Sequence, residues 1–423
     1  MGSTAASSSS STSISSTTTT TTPSSTSTST TSAITTTTTT TLTATLSSTS
    51  TTTTTTSSST STSTSTTITS TTTLTTTQSS TSTTTTSSTS TSTTTTSSTS
   101  TSTSISTTTT TVCSQPTWSQ TATTIFGSQA GTSGSDLISL STPVGMYYDG
   151  PNNMLTVVDD GNQRVLRFSI NNSSSVATVI AGSNGLGCNM NQFYWPNGIG
   201  VDSSGRLYVA DYYCNQVVRF PSNSNSTTSG TLLGSVTVAA FISINQLTND
   251  IYVVSYSDNA IYEFVGGNGS AVVAAGGNGN GNALNQLSGP NGVYYDYLYT
   301  SSLYVTDNGN YRVMKYPSGS TSATYGTVVA GGNSVGSAAN QLNNPRSVLI
   351  DSSGALYIAD GSNNRIQRWL QNASSGTTVV GGTQGTATNQ LNWPETVLFD
   401  KYDNLLVVDR GNNRIQLFNL TTC

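Results

Sequence analysis

The chain has 423 residues, with Lys+Arg 12, Asp+Glu 17 and no His, giving a formal net charge of −5 and a pI near 4.5. No run of about 18 apolar residues occurs, which excludes a membrane-spanning helix, and the acidic balance excludes the basic face that nucleic-acid binding requires. Absence of His removes the commonest general base and, with it, every Ser-His-Asp or Cys-His catalytic arrangement.

Residues 1–112 are almost wholly Ser and Thr, and the first charged side chain is Asp136. So few apolar groups cannot offset the entropy of ordering, which predicts a disordered segment. Tracts broken by Pro, such as TTTTTTPSSTSTSTTS, match O-glycosylated, mucin-like stalks; a low-complexity expansion without sugars has the same composition. The opening MGSTAASSSSSTSISS offers neither the basic start nor the apolar run of a secretory signal. An exported chain would then carry its signal upstream or leave by an unconventional route. Ala6 occupies the position where an N-myristoylation motif needs Ser or Thr.

Residues 113–423 have globular composition and enough length to bury a full core. One fourteen-residue pattern occurs six times: LTVVDDGNQRVLRF, LYVADYYCNQVVRF, IYVVSYSDNAIYEF, LYVTDNGNYRVMKY, LYIADGSNNRIQRW and LLVVDRGNNRIQLF. Anchored on the fifth position the copies fall at Asp159, Asp211, Ser255, Asp307, Asp360 and Asp409, with spacings of 52, 44, 52, 53 and 49. A period near 50 suits a four-stranded propeller blade. Two apolar runs flanking a polar turn read as a β-hairpin, the second and third strands. A Pro-led run upstream, as in PNGIGVDSSG, PRSVLIDSSG and PETVLFDKYDN, supplies the innermost strand; the third copy, ISINQLTND, lacks the Pro. A β-branched run ending in Gly, as in ATVIAGS and GTVVAGG, supplies the fourth strand of the preceding blade. The last blade has no such run, but a spare copy, TATTIFG at 121–127, precedes the first. The prediction is an all-β fold: a six-bladed propeller of four-stranded antiparallel blades at 113–423, its ring closed by the N-terminal strand, following a disordered segment at 1–112.

The lead-ins NQLNNPRSVLID and NQLNWPETVLFD, the strand ending in Val-Ala-Asp or similar, and Asn-Arg-Ile/Val after the turn resemble the NHL-repeat family across essentially all of 113–423. That resemblance implies the propeller and leaves function open, because one scaffold carries unrelated activities. The NHL propellers of TRIM-type ubiquitin ligases bind nucleic acid, and related peptidyl-hydroxyglycine lyases hold a metal through His; neither site can be carried over to a chain without His or a basic face. Seven of the ten Arg are absorbed by the repeat, leaving Arg206, Arg346 and Arg410.

Asp159 with Arg164, Asp307 with Arg312, Asp360 with Arg365, and Asp409 with Arg414 share a five-residue spacing in four blades. Such recurrence reads as structural: a bidentate ion pair pinning each hairpin. Blade 2 has Gln216 and blade 3 has Ser255 and Ala260 instead. No catalytic residue, cofactor or metal site is assigned; a carboxylate-only calcium site in the channel is the remaining metal option, without a ligand loop of calcium spacing.

Four Cys permit three pairings. Ring closure brings Cys113 to Cys423, and the loops of blade 2 bring Cys188 to Cys214; the alternative is four free thiols in a reducing compartment. Asn171, Asn172, Asn225, Asn268, Asn372 and Asn419 begin N-glycosylation sequons. All lie after a third strand, on one rim of the disc. The opposite face would carry Tyr194, Trp195, Tyr212, Tyr213, Tyr311 and Trp393, aromatic planes beside Asn and Asp that suit sugars or extended peptides; Trp195 and Trp393, each before a Pro, could equally pack the tops of the inner strands. The resulting expectation is a monomeric, non-catalytic, extracellular binding protein for a protein or glycan ligand. Its alternatives are a propeller enzyme of hydrolase or lyase type, calcium-dependent in one version, and an intracellular scaffold.

Overall fold

The computed structural model describes residues 116–171 and 176–422. The expected tail and Cys113, Cys423 and Asn172 lie outside the described residues.

Six four-stranded antiparallel sheets follow one another along the chain. In blade 1 the strands are Pro143–Asp149, Met154–Asp159, Arg164–Ser169 and Thr178–Gly182. The innermost strands of blades 2 to 6 are Pro196–Val201, Ala239–Ile244, Val293–Asp296, Pro345–Ile350 and Pro394–Phe399. Each inner strand packs against the next, and the sixth against the first, which makes a ring around a central channel. The ring closes as the strand count required: Thr123–Gly127 pairs antiparallel with Arg414–Phe418 and completes blade 6. A short second pairing, Thr117–Trp118 with Leu420–Thr422, lies beside it. Trp118 is buried there, its ring edge-on to Tyr357 at 5.5 Å.

The second strands are buried on both faces, so their sequences run apolar without alternation: Leu207–Asp211 and Leu405–Asp409 are buried at every position. The core lies between blades, as in the stack of Phe126 from the closing strand on Phe168 of blade 1, 4.0 Å apart.

The hairpins show why the motif reads as it does. A four-residue loop joins the second and third strands, and its last residue is left-handed in every blade: Gln163, Asn215, Asn259, Tyr311, Asn364 and Asn413, with φ of 50 to 54°. Asn tolerates that conformation better than other non-Gly residues, hence four Asn before the third strand. The Gly ending each fourth strand has a related cause. Gly331 has φ +69°, and a Cβ on it would sit 2.3 Å from the Tyr311 carbonyl oxygen of the neighbouring hairpin.

Asp159 and Arg164 are register partners across the hairpin. Arg164 Nε donates to Asp159 Oδ2 at 2.7 Å; the other carboxylate oxygen accepts the Ser141 N–H at 2.7 Å. The contact uses one guanidinium nitrogen, where a bidentate fork was expected. The remaining nitrogens donate to the Ser135, Asp136 and Ser139 carbonyls in the preceding loop. Asp307–Arg312, Asp360–Arg365 and Asp409–Arg414 repeat the arrangement at 2.7, 2.8 and 2.7 Å. Burial is the largest influence on these four carboxyls and pushes them up, against the pull of their donors. Each pair is a three-way clamp of strand end, hairpin and interblade loop.

Blade 2 lacks the Arg, and a disulfide takes its place. Cys188 in the interblade loop bonds Cys214 in the hairpin, with Cα atoms 5.5 Å apart, and Gln216 Nε2 donates to the Cys188 carbonyl at 3.4 Å. The bond spans 26 residues, for which loop-closure entropy gives about 3–4 kcal/mol. Reduction should lower stability by that amount, seen as a shift of the denaturation midpoint with and without reductant. No shift would mean the loop is held by its other contacts.

Candidate functional site

The interblade loops and the hairpin turns share one face of the disc. There Trp195 stacks on Tyr213 with ring centres 4.9 Å apart and planes 13° apart. Tyr194 lies 5.0 Å from Tyr213, and Tyr212 lies 5.7 Å from Trp195. Tyr256 of blade 3 extends the row, 6.2 Å from Tyr212. Tyr194 and Tyr213 are 44% and 54% exposed, so this cluster is a surface and not a core. The Cys188–Cys214 bond and Asp211 hold it in place; Asp211 accepts the N–H groups of Tyr194 and Trp195 at 2.9 and 3.0 Å.

Four of the six aromatic residues singled out from sequence therefore meet. Trp393 sits elsewhere on the rim, its ring 5.8 Å from the Arg346 guanidinium and its Nε1 buried without a hydrogen-bond partner among the described residues. Tyr311 stands apart from the cluster, in a groove with Asn282 and Asn333.

Beside the aromatic row the channel opens in a cavity of about 300 Å³, lined by Trp195, Tyr212, Tyr256, Asn197, Asn291, Asn308, Asn344, Arg346 and Arg410. Asn197, Asn291 and Arg346 in its lining each follow the Pro of an inner strand segment. The equivalent positions in the other blades are Val144, Ala240 and Glu395, and all six residues are buried. Arg346 Nε donates to Glu395 Oε1 at 2.7 Å. Arg410, from the blade 6 hairpin, approaches the other Glu395 oxygen at 3.5 Å and Asp160 at 3.8 Å. Trp195 Nε1 donates to the Asp160 carboxyl.

Sequence reasoning left Arg346 and Arg410 over as unabsorbed cations and did not single out Asn197, Asn291, Glu395 or Asp160. A signal existed. Positions that build the blade recur in phase, whereas the residue after the Pro changes from Val to Asn, Asn, Arg and Glu. A ring of variable residues at an invariant position of a repeat is where a propeller can place a site.

Burial pushes Asp160 up to about 7, with Asp159 and Glu395 adding to the rise and the Trp195 N–H and Arg410 opposing it. A carboxyl whose folded value is raised stabilises the fold fully below its unfolded value, and that contribution is lost as pH climbs through the folded value. Asp160 should therefore cost the protein stability as pH rises from about 4 to about 7. Asp160→Asn should flatten this decline in urea titrations across that range; an unchanged slope would place the titration on other groups.

On the opposite rim, Asn171, Asn225, Asn268, Asn372 and Asn419 are exposed. Each follows a third strand. Among the described residues no cluster of three or more His, Cys, Asp or Glu has metal-binding geometry. No helix is long and apolar enough to cross a membrane.

The NHL repeat family model matches residues 193–220, the segment that holds the aromatic cluster. No curated protein matches the sequence significantly. Among solved structures, the chain is similar to an auxiliary nutrient binding protein from Bacteroides thetaiotaomicron, with 15% identity, 72% of this chain and 77% of that one covered, and a TM-score of 0.55. It is also similar to an auxiliary nutrient binding protein from Bacteroides ovatus, with 13% identity, 73% and 78% covered, and a TM-score of 0.55. A gluconolactonase from Xanthomonas campestris has 12% identity, 73% and 96% covered, and a TM-score of 0.51. Identities this low show the propeller fold alone.

Proposed function

We propose that this six-bladed NHL-repeat propeller is a non-catalytic recognition protein that works outside the cell and captures a glycan or protein ligand on the face carrying Trp195. The observation that carries the reading is the exposed row of Tyr194, Trp195, Tyr212, Tyr213 and Tyr256 beside an amide-lined cavity. Aromatic planes supply apolar area at low entropic cost, and amides around them supply hydrogen bonds of fixed direction. The Cys188–Cys214 disulfide supports an oxidising compartment. Sequon-bearing loops on the opposite rim would leave the aromatic face clear of sugars. Solved neighbours described as nutrient binding proteins accord with capture, and the gluconolactonase neighbour keeps the enzymatic alternative in view. Glycan and peptide arrays probed with the full chain test the reading. Saturable capture by a defined ligand class, without turnover, supports it. Consumption of a bound ligand would replace it with the enzyme.

A further inference from the structure

The cavity is charged in a way that the aromatic wall does not require. Arg164, Arg312, Arg365 and Arg414 each spend their guanidinium nitrogens on one carboxylate and two or more backbone carbonyls of an interblade loop. Arg410 is different. Its polar contacts among the described residues are the long approaches to Glu395 and Asp160, at 3.5 and 3.8 Å, and its side chain is 21% exposed at the cavity wall. Glu395 is already served by Arg346 at 2.7 Å, and Asp160 by the Trp195 N–H. A guanidinium has five donors in a planar fork that matches a carboxylate, so most of the hydrogen-bonding capacity of Arg410 is uncommitted.

The neighbouring wall asks for hydroxyls. Asn197 is 6% exposed, lines the cavity, and its Oδ1 receives no donor among the described residues. Amide side chains at a cavity wall are hydrogen-bond partners for ligand hydroxyls, and Asn197 shares this wall with Asn291, Asn308 and Asn344. Trp195, Tyr212 and Tyr256 add flat faces on the same side. An anion, a set of hydroxyl donors and a flat apolar ring face are combined in one chemical class.

Resting on the binding reading above, we propose that the channel mouth takes a carboxylate-bearing sugar, a hexuronate of an acidic glycan, with its carboxylate on Arg410, its hydroxyls toward Asn197 and its ring against Trp195. An acidic peptide could use Arg410 and the amides but brings a flat ring face only where its sequence supplies one, whereas every residue of an acidic glycan brings carboxylate, hydroxyls and ring face together.

Calorimetric titration of the full chain decides the matter, using tetrameric oligomers of galacturonate and glucuronate, their methyl esters, neutral oligosaccharides of the same length and a Glu-rich peptide. The expected result is saturable binding of an oligouronate that is about 10-fold or more weaker for its ester. Arg410→Gln should abolish that preference for the free acid, while Trp195→Ala weakens acid and ester together. Because the ester comparison is made on the unaltered protein, a misfolded Arg410 variant cannot hide the answer. Equal affinity for acid, ester and neutral sugar would overturn the uronate inference and leave the binding face standing. Selective capture of the peptide would overturn it in favour of a protein partner. No binding of any sugar would also overturn it, and Trp195-dependent capture of some other array ligand would then preserve the broader function.

Discussion

Replacing Arg414 by Met should destabilise the propeller by about 3–5 kcal/mol, the usual cost of leaving a buried charge without its partner. Both Arg414 and Asp409 have fully buried side chains. Beyond its bond to Asp409, Arg414 donates to the carbonyls of Thr386, Ala387 and Gln390 in the interblade loop, and to Gln129 just past the closing strand. One substitution therefore strips the clamp of blade 6 and a tie across the ring closure at once. Arg206 is the internal control. The Arg206 side chain is 33% exposed, and its buried partner Asp202 keeps the Tyr208 hydroxyl and the Ser204 and Arg206 N–H groups as donors, so Arg206→Met should cost less, about 1–2 kcal/mol. Denaturant midpoints of the two variants test the difference. Equal effects would mean that the clamps are ornaments on a ring held by its apolar core.

Trp195→Ala should weaken ligand capture by about 30-fold or more, the scale of a central aromatic hot spot. The indole is the link between the two halves of the site: it stacks on Tyr213 and donates to Asp160 on the channel rim. Trp195→Phe keeps a flat apolar face and loses only the donor, so its loss should be smaller. Tyr325, 68% exposed in the loop before the fourth strand of blade 4, lies on the other face, and Tyr325→Ala should leave capture unchanged. Array or surface-binding measurements on the three variants, with melting curves to confirm folding, separate a binding face from general surface stickiness. Equal losses at Trp195 and Tyr325 would remove the assignment of the face.

Much of the architecture was legible in the residue order, because a propeller is a repeat and each repeat carries its own turn chemistry. Asp159 and its counterparts marked the hairpins, polar turns rich in Asn, Asp and Gly marked the loops that end left-handed at Asn364 and Asn413, and the spare copy at 121–127 announced how the ring closes. These are local or counted features, set by backbone stereochemistry and by the need to leave no sheet edge open. The carbonyl partners of the clamp arginines left no trace, since backbone acceptors 24 to 30 residues away have no side-chain signature. Nor did the replacement of the blade 2 clamp by a disulfide follow from the Cys count; it needed Cys188, Cys214 and Gln216 in one place.

The assembly of the mouth was decided by the tertiary structure. Asp160, Trp195, Arg346, Glu395 and Arg410 come from four blades, and in each blade they are departures from the pattern that defines it. Periodicity reports what every blade must share in order to fold. A site on the axis is a sum of unshared residues from several blades, and only closure of the ring brings those residues within reach of one another.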